Sequence, residues 1–388
     1  MLTSARNFKM ARSAHAYVRG STLKFYEWLD SLSARALPEG PSVWICGDCH
    51  VGNLGPVANA KGSVEIQIRD FDQTVIGNPA HDLIRLGLSL AMAARSSDLP
   101  GVTTARMLEH VVEGYAEEFK PLRRSVPAER PEAVYKALRQ AQARSWRHLA
   151  KERIGGETAS LPLGKRFWPV SKKEREAIDA LFASGEMEGL ATQLSHRPDG
   201  VPVKLVDASY WLKGCSSLGL LRYAVLLDVA GRAAKGRDLC LIDIKEATKA
   251  LAPRAAGASM PRDNAARVVE GAKRLAPNLG ERMAAARLLN RPVFMRELLP
   301  EDLKLELAGL TVEEATKSAR YLARVVGRAH AGQMDKDGRK LWRTELTKNF
   351  SKTLDAPSWL WSSVIELIGT HERGYLDHCR RYAMGEPF

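Results

Sequence analysis

The chain has 388 residues, 45% of them hydrophobic and 27% charged, which is ordinary globular usage and allows a sizeable core. Lys and Arg number 58 against 45 Asp and Glu, a formal charge of +13 that favours an anionic partner. The longest strongly apolar stretch, 86–94, is too short to span a bilayer, the N-terminus lacks the apolar region of a signal peptide, and five cysteines form no disulfide framework. We therefore expect a cytoplasmic protein without a membrane span.

The first 40 residues are predicted to be helical, and two short strands follow them. Residues 43–46 form an apolar run that ends at a Gly-Asp pair. In residues 64–71, apolar and polar residues alternate with the period of two that is typical of a half-buried strand. Asn78-Pro79 combines a helix cap with proline at the first helical position, which predicts a helix to about Ala94.

The rest of the chain alternates between helical and β-rich patterns. Residues 101–190 are predicted to be helical, and three β-like runs after Pro202 predict a small antiparallel sheet. Asn264 is expected to cap a helix to about Leu275. A further strand is predicted at 292–298, and helices return at 311–384. This order predicts an α+β protein.

Four polar residues near the first two strands form the strongest candidate site. Asn53 follows Asp48 by five residues, and Asp70 and Asp72 come at the end of the next predicted strand. Phosphoryl transfer needs an Asp that accepts the proton of the attacking hydroxyl, and an amide and a carboxylate that hold magnesium on the phosphates. Hard oxygen ligands suit this ion. A strand–loop–strand hairpin would hold all of these side chains on one rigid base.

The sequence GDCHVGN resembles the catalytic loop of aminoglycoside and choline phosphotransferases, and RDFDQTVIGNPAHDLIRL resembles their next conserved block. The resemblance implies that Asp48 is the catalytic base and that Asn53 and Asp70 are metal ligands. Asp72 is a possible second carboxylate ligand, and Asp82 would be the structural acid at the helix start. Cys46 stands where these enzymes have their first His.

A kinase-like site also needs a loop that covers the nucleotide and a phosphate-binding lysine, and both are expected after residue 200. Gly214, Ser217 and Gly219 lie in a loop between two β-like runs, where backbone N–H groups would cover phosphates. Lys245 ends the run LIDIK, as the strand-borne lysine of kinases does. Glu270, in the helix that follows, would pair with Lys245.

This permuted order resembles a bacterial family catalogued as a domain of unknown function, number 2252. The blocks AYVRGSTLKFY, GDCHVGNLG, RDFDQ, KGCSSLGLLRYAVLL, IDIKEA, RVVEGAKRL, VFMREL and GRAHAGQMD match its motifs in order over nearly the whole chain. The resemblance implies a kinase-like site without implying a particular reaction.

Together these features predict a two-lobed, protein-kinase-like α+β fold with its motifs in circularly permuted order. A helix-rich lobe at 1–200 would carry the catalytic and metal-binding loops, and a small β lobe at 201–300 would cover the nucleotide. Residues 301–388 would pack with the large lobe. ATP and Mg²⁺ would lie between the lobes, and the γ-phosphate would pass to a hydroxyl of a small molecule or protein.

Several alternatives remain open on the sequence alone. The same site would serve a nucleotidyl (AMP) transferase or an ATP-binding pseudokinase. Asp48 and Asn53 are also common turn residues, Glu270 is a common solvent-facing helix residue, and Cys46-x-x-Cys49 is also a metal or redox pattern. The basic segment 128–153 leaves a nucleic-acid-binding protein as a further alternative. That alternative is disfavoured because the segment lacks an interleaved series of aromatic residues for stacking bases.

Overall fold

The computed structural model describes residues 2–33, 36–121, 129–144, 149, 160–183, 190, 201–213, 218–229, 239–303, 305, 309–348 and 356–382. The helices are α1 (Leu2–Ala11), α2 (Ala14–Gly20), α3 (Thr22–Asp30), α4 (Ala80–Arg95), α5 (Gly101–Glu117), α6 (Glu132–Ala143), α7 (Lys172–Ala183), α8 (Asn264–Leu275), α9 (Pro277–Gly280), α10 (Val312–Ala331), α11 (Lys336–Thr347) and α12 (Ser358–Tyr382). The strands are β1 (Val43–Ile45), β2 (Leu54–Ala58), β3 (Val64–Ile68), β4 (Val75–Gly77), β5 (Phe167–Pro169), β6 (Val203–Trp211), β7 (Arg222–Val229), β8 (Leu239–Glu246), β9 (Met283–Leu288) and β10 (Arg291–Glu297).

Helix α4 is the centre of the helix-rich part of the molecule. Residues 80–94 are all buried, because apolar side chains surround the helix on every side rather than forming one stripe. Helices α5, α10 and α12 pack around it. Two charged residues, Asp82 and Arg85, are nevertheless fully buried within α4, so both need polar partners.

Both ends of the chain contribute to this helix-rich part. Helix α12 packs on α1, α2 and α4. The Tyr375 hydroxyl donates to the Ala11 carbonyl at 3.2 Å, and His378 Nε2 lies 2.8 Å from the Asn7 carbonyl. These contacts join the last helix of the chain to the first one.

The β-rich part is a six-stranded sheet in the order β5-β6-β7-β8-β10-β9, with every neighbouring pair antiparallel. Its strands come mainly from 203–297, as the sequence predicts, but β5 and α7 precede that range and pack with the same sheet. Ile178 and Phe182 of α7 cover one face. Helix α8 packs against β9 and β10. The molecule is thus α+β with antiparallel sheets.

The predicted pairing of the first two strands is wrong. Strand β1 pairs with β4 and not with β3, and β3 pairs with β2, so two separate two-stranded sheets replace the expected hairpin. The sequence analysis did not predict strands β2, β4, β5 and β9. Helix α8 is capped by Asp263 rather than by Asn264. The Asp263 side chain accepts hydrogen bonds from the backbone N–H groups of Ala265 and Ala266.

None of the helices in the described ranges combines the length and the apolar character that crossing a bilayer requires.

We predict that stability falls as the pH drops from 6.5 to 4, because two buried histidines are held uncharged. Burial lowers the pKa of His81 and of His371 to about 4. The unfolded chain, with histidine pKa near 6.5, binds more protons in this window, so acid favours unfolding. His371→Gln should remove about 2 kcal/mol of the difference in unfolding free energy between pH 7 and pH 5, measured in urea.

The control is His110→Gln, at a partly exposed position of α5. Equal pH dependence in the wild type and in His371→Gln would contradict the assignment of a neutral His371.

Candidate active site

Lys245, on the central strand β8, contacts the two aspartates that follow β3. Its Nζ forms a hydrogen bond and ion pair with Asp72 Oδ2 and lies 3.6 Å from Asp70 Oδ1. The lysine side chain is nearly buried, so its charge requires such partners. The structure therefore brings together three of the predicted residues although they are far apart in the sequence.

The two carboxyls differ in their electrostatic surroundings. Burial would raise the pKa of Asp70, but Lys245, Arg296 and Arg222 outweigh it and hold that pKa below its usual value. Burial and the charge of Asp70 raise the pKa of Asp72 despite its contact with Lys245. Asp70 is thus the firmly ionised member of the pair.

Asp48 lies in the loop after β1 and has partners at both carboxylate oxygens. The buried Arg85 donates from Nε to Oδ1 at 2.8 Å, and the Thr22 hydroxyl donates to Oδ2 at 3.0 Å. His50 Nε2 lies 3.9 Å from Oδ2. Arg85 also donates to the Val18 carbonyl at 2.7 Å. The N-terminal helices α2 and α3 therefore form one wall of the site.

Asn53 ends the short helical turn after this loop, and its side chain orients the loop. Its Nδ2 donates to the Asp48 carbonyl at 2.9 Å, while its own carbonyl accepts from the Arg69 N–H at 2.8 Å. These bonds join the Asp48 loop to the strand that leads to Asp70. The amide nitrogen is committed, so the amide oxygen is the atom of Asn53 suited to a metal ion.

The carboxylate oxygens of Asp70 and Asp72 are of the type that a hard cation such as magnesium prefers. Asp72 Oδ1 is buried without a hydrogen-bond partner, and the Asp70 side chain remains 43% exposed. The described parts of the chain hold no group of three or more His, Cys, Asp or Glu arranged for a metal. Magnesium commonly relies on one or two carboxylates together with phosphate oxygens and waters. The two carboxylates of Asp70 and Asp72 offer that kind of incomplete shell.

A network of buried hydrogen bonds, which begins at Asp82 in α4, holds the backbone of the Asp48 loop. Asp82 accepts the backbone N–H groups of Cys46 at 2.7 Å and Gly47 at 2.9 Å, and His330 Nε2 lies 3.2 Å from the same carboxylate. Tyr115 bridges His330 Nδ1, at 2.9 Å, and Trp342 Nε1, at 3.1 Å. Asp82 thus occupies the position expected of a structural acid at the start of α4.

Gly47 is required by the geometry of this loop. Its φ is +73°, and a Cβ atom there would lie 2.2 Å from the Gln73 carbonyl oxygen. Only glycine allows this backbone to approach the loop of Asp70 and Asp72 so closely. The Tyr26 hydroxyl donates to the Gly47 carbonyl and adds a third support.

Cys46 joins the two loops through its thiol. Its Sγ donates to the Asp70 carbonyl at 3.4 Å. The contact with Cys49 and burial raise the pKa of Cys46 well above its usual value. A buried, protonated thiol serves here as a weak hydrogen-bond donor.

The predicted nucleotide-covering loop is only partly described. Gly214 and Ser217 lie outside the described residues. Gly219 is exposed in the turn before β7, with φ +97°. Ser209 and Tyr210 pair with Ala224 and Tyr223, so β6 and β7 form a hairpin around this loop.

The predicted ion pair between Lys245 and Glu270 is replaced by other contacts. Glu270 pairs with Arg274 one turn further along α8, with Nε 2.9 Å from Oε1. The residue of α8 that reaches the site is the buried Arg267, which donates to the carbonyls of Thr74, Asp72 (3.1 Å) and Thr248 (2.8 Å). Arg267 therefore fastens α8 to the aspartate loop.

The sequence analysis did not predict the contacts of Arg85, Asp243 and Thr22, nor those of Arg267. Arg85 interrupts an otherwise apolar run, and a charge in such a run signals a buried partner. Asp243 carries the same signal within β8 and pairs with Arg222. Thr22 has no comparable signal, because its contact with Asp48 depends on how α3 packs.

In a comparison with known protein families, one family model matches nearly the whole chain. The family model described as "Uncharacterized protein conserved in bacteria (DUF2252)" matches residues 1–381. No curated protein and no solved structure gives a significant match.

We predict that Asp82→Ala lowers the free energy of unfolding by at least about 3 kcal/mol, because two buried N–H groups and His330 lose their shared acceptor. Urea unfolding measures the loss. The matched control is Asp335→Ala, which removes an exposed cap from α11 and should cost about 1 kcal/mol. Similar losses in the two variants would show that Asp82 is an ordinary cap.

Proposed function

The chain belongs to the bacterial family DUF2252, and we propose that it is an ATP- and magnesium-dependent phosphotransferase that moves the γ-phosphate to a hydroxyl of a small molecule or protein. The contact of Lys245 with Asp70 and Asp72 carries the proposal. A lysine and two carboxylates from separate parts of the fold meet where phosphates and their metal ion would be held.

The surroundings of Asp48 suit it to accept a proton. Arg85 holds Oδ1 through a short hydrogen bond, so Oδ2 is the oxygen left for reaction. A hydroxyl acceptor would take the place of the Thr22 donor at Oδ2. As its oxygen forms a bond to the γ-phosphorus, its proton passes to Asp48 Oδ2. The bond from that phosphorus to the β-γ bridging oxygen breaks, and ADP leaves.

Asp70, Asp72 and the Asn53 amide oxygen would hold magnesium. The ion would neutralise charge on the phosphates during transfer. Lys245, whose ammonium group lies between the two carboxylates, would leave them when the phosphates enter. The lysine would then turn to the phosphate oxygens. In the absence of nucleotide, the same ammonium group balances the carboxylates.

The order of elements after residue 202 supports the proposal. A hairpin loop between β6 and β7 comes first, the strand-borne Lys245 on β8 second, and α8 third. Protein kinases present their phosphate-covering loop, lysine and helix in this order. In this chain the proposed catalytic and metal-binding loops come before these three elements. This is the permuted order that the motifs imply.

Two alternatives use the same site. A nucleotidyl transferase would attach AMP to the acceptor, and a pseudokinase would bind ATP without turnover. Nucleic-acid binding by the basic helix α6 is the weaker alternative. The charge of Lys136 on this helix is paired with that of Glu132.

We predict that Mg-ATP at a hundredfold excess over its Kd raises the free energy of unfolding by about 2.7 kcal/mol. Lys245→Met and Asp70→Asn should abolish most of this rise, since each removes a group that contacts the phosphates or the metal. The matched controls are Lys172→Met and Asp98→Asn, at exposed positions distant from the site. Absence of any rise in the wild type would refute nucleotide binding.

We further predict that acceptors incubated with the protein and Mg-ATP gain about 80 Da, the mass of one phosphoryl group, and that Asp48→Asn abolishes the gain. Mass spectrometry of an acceptor library measures it. A gain of about 329 Da would indicate AMP transfer instead. ATP binding without any mass gain across the library would favour the pseudokinase.

A further inference from the structure

A pocket of about 530 Å³ lies between the N-terminal helices and α12. Its size falls within the range of roughly 300 to 1,000 Å³ that is typical of small-molecule sites. The lining comes from α1, from the junction of α2 and α3, and from one stripe of α12. We call it the terminal pocket. The lining residues used below are Arg6, Tyr17, Lys24, Gly374, Asp377 and Arg381.

Contacts between the helices hold the walls of the terminal pocket in place. His378 Nε2 lies 2.8 Å from the Asn7 carbonyl, and the Tyr375 hydroxyl donates to the Ala11 carbonyl at 3.2 Å. The Tyr17 ring lies 5.4 Å from the ring of His378 and 5.9 Å from that of Tyr375, measured between centroids. These contacts join α1 and α2 to α12, so the pocket is formed before a ligand enters.

The Tyr17 hydroxyl is a polar group at the wall of the pocket. Tyr17 is only 3% exposed, yet its hydroxyl makes no hydrogen bond with any residue that the structure describes. Buried tyrosine hydroxyls usually find a partner. The hydroxyl lies against Gly374, where a Cβ would be 2.6 Å away, although glycine inside a helix is destabilising. The chain therefore makes room for a hydroxyl that a ligand can satisfy.

The lining of the pocket carries an excess of positive charge. Its three lysine and arginine residues, Arg6, Lys24 and Arg381, are exposed. Within the described ranges, none of them has an ion-pair partner. The one acid of the lining, Asp377, is paired with Arg380, whose Nη2 lies 3.6 Å from Oδ1. An anion in the pocket would therefore meet cations whose charge is not already neutralised.

The Tyr17 hydroxyl is a hydrogen-bond donor at neutral pH. Burial and the negative charges of Asp377 and Glu27 raise the pKa of Tyr17, so the phenol stays protonated. A protonated phenol donates to a carboxylate or phosphate oxygen in a strong, charge-assisted hydrogen bond. Met10 and Leu23 add apolar surface to the lining. A ligand that matches these groups has both a negative charge and an apolar body.

We propose that the terminal pocket binds a small aromatic anion, whose carboxylate or phosphate accepts the Tyr17 hydroxyl and is neutralised by Lys24 and Arg381. The residues on either side of Thr22 belong to the lining, and the Thr22 hydroxyl donates to Asp48. The occupant would thus lie beside one wall of the candidate active site. The inference goes beyond the proposed function, because this binding requires neither nucleotide nor a transfer step.

The test is isothermal titration of the full chain, without nucleotide, with three aromatic anions: benzoate, phenyl phosphate and indoleacetate. Each has a neutral analogue of similar shape, which is benzamide, phenol or indoleacetamide. We expect at least one anion to bind, and its neutral analogue to bind about tenfold more weakly or not at all, because the donor and the cations act on its charge.

Three variants locate the bound anion. Tyr17→Phe keeps the ring and removes the hydroxyl, and it should weaken binding of the anion about tenfold. Arg381→Gln should weaken binding about threefold, since an exposed charge is screened by solvent. Arg373→Gln is the matched control, because Arg373 is an exposed arginine of the same helix outside the pocket lining. It should leave the affinity unchanged.

Melting of each variant without ligand checks that it folds, and the surface substitution Arg381→Gln keeps the test decisive if Tyr17→Phe is unstable. Failure of all three anions to bind, or binding that neither substitution weakens, would overturn the inference. Asp70→Asn, which tests nucleotide binding, should bind the anion as the wild type does. The inference and the phosphotransferase proposal can therefore fail independently.

Discussion

The contact of Lys245 with Asp70 and Asp72 is the interaction on which the arrangement of the site depends. It joins the six-stranded sheet to the loop after β3, and other bonds fix the same loop by its backbone. Arg296 of β10 donates to the Arg69 carbonyl, and Arg267 of α8 donates to the Asp72 and Thr74 carbonyls. These two guanidinium groups thus donate hydrogen bonds to backbone carbonyls that have no partner within the tight loop itself.

A second set of constraints comes from the helix-rich side and acts on the Asp48 loop. Asp82 holds the backbone of this loop, while Arg85, one turn along the same helix, holds the Asp48 side chain. One buried helix therefore sets both the path of the loop and the direction of its carboxylate. Because α4 is packed on all sides, neither group can shift without disturbing the core. The Asp48 loop is pre-organised rather than adaptable.

The sequence predicted individual helices and strands, because these depend on neighbouring residues. It did not predict strand pairing and distant side-chain contacts, because these depend on long-range packing. The strand at Val64, the helix after Asn78 and the strand that carries Lys245 have clear periods or caps, and each is present. The partner of β1 was mistaken, because strand pairing depends on where distant segments meet. The roles of Thr22 and Arg267 were missed for the same reason, since nothing near either residue in the sequence indicates its partner.

Helix α8 contacts the site through Arg267, whereas the sequence analysis expected an ion pair between Glu270 and Lys245. A lysine–glutamate pair would couple the position of the helix to the charge on Lys245. Here α8 is held by three backbone carbonyls, which do not titrate, and Glu270 is bound within its own helix. Among the described residues, the acidic partners of Lys245 are Asp70 and Asp72. A cation at Asp70 and Asp72 would compete with this lysine, and an anion at the lysine would compete with the two carboxylates, whereas neither would disturb the carbonyl contacts that hold α8.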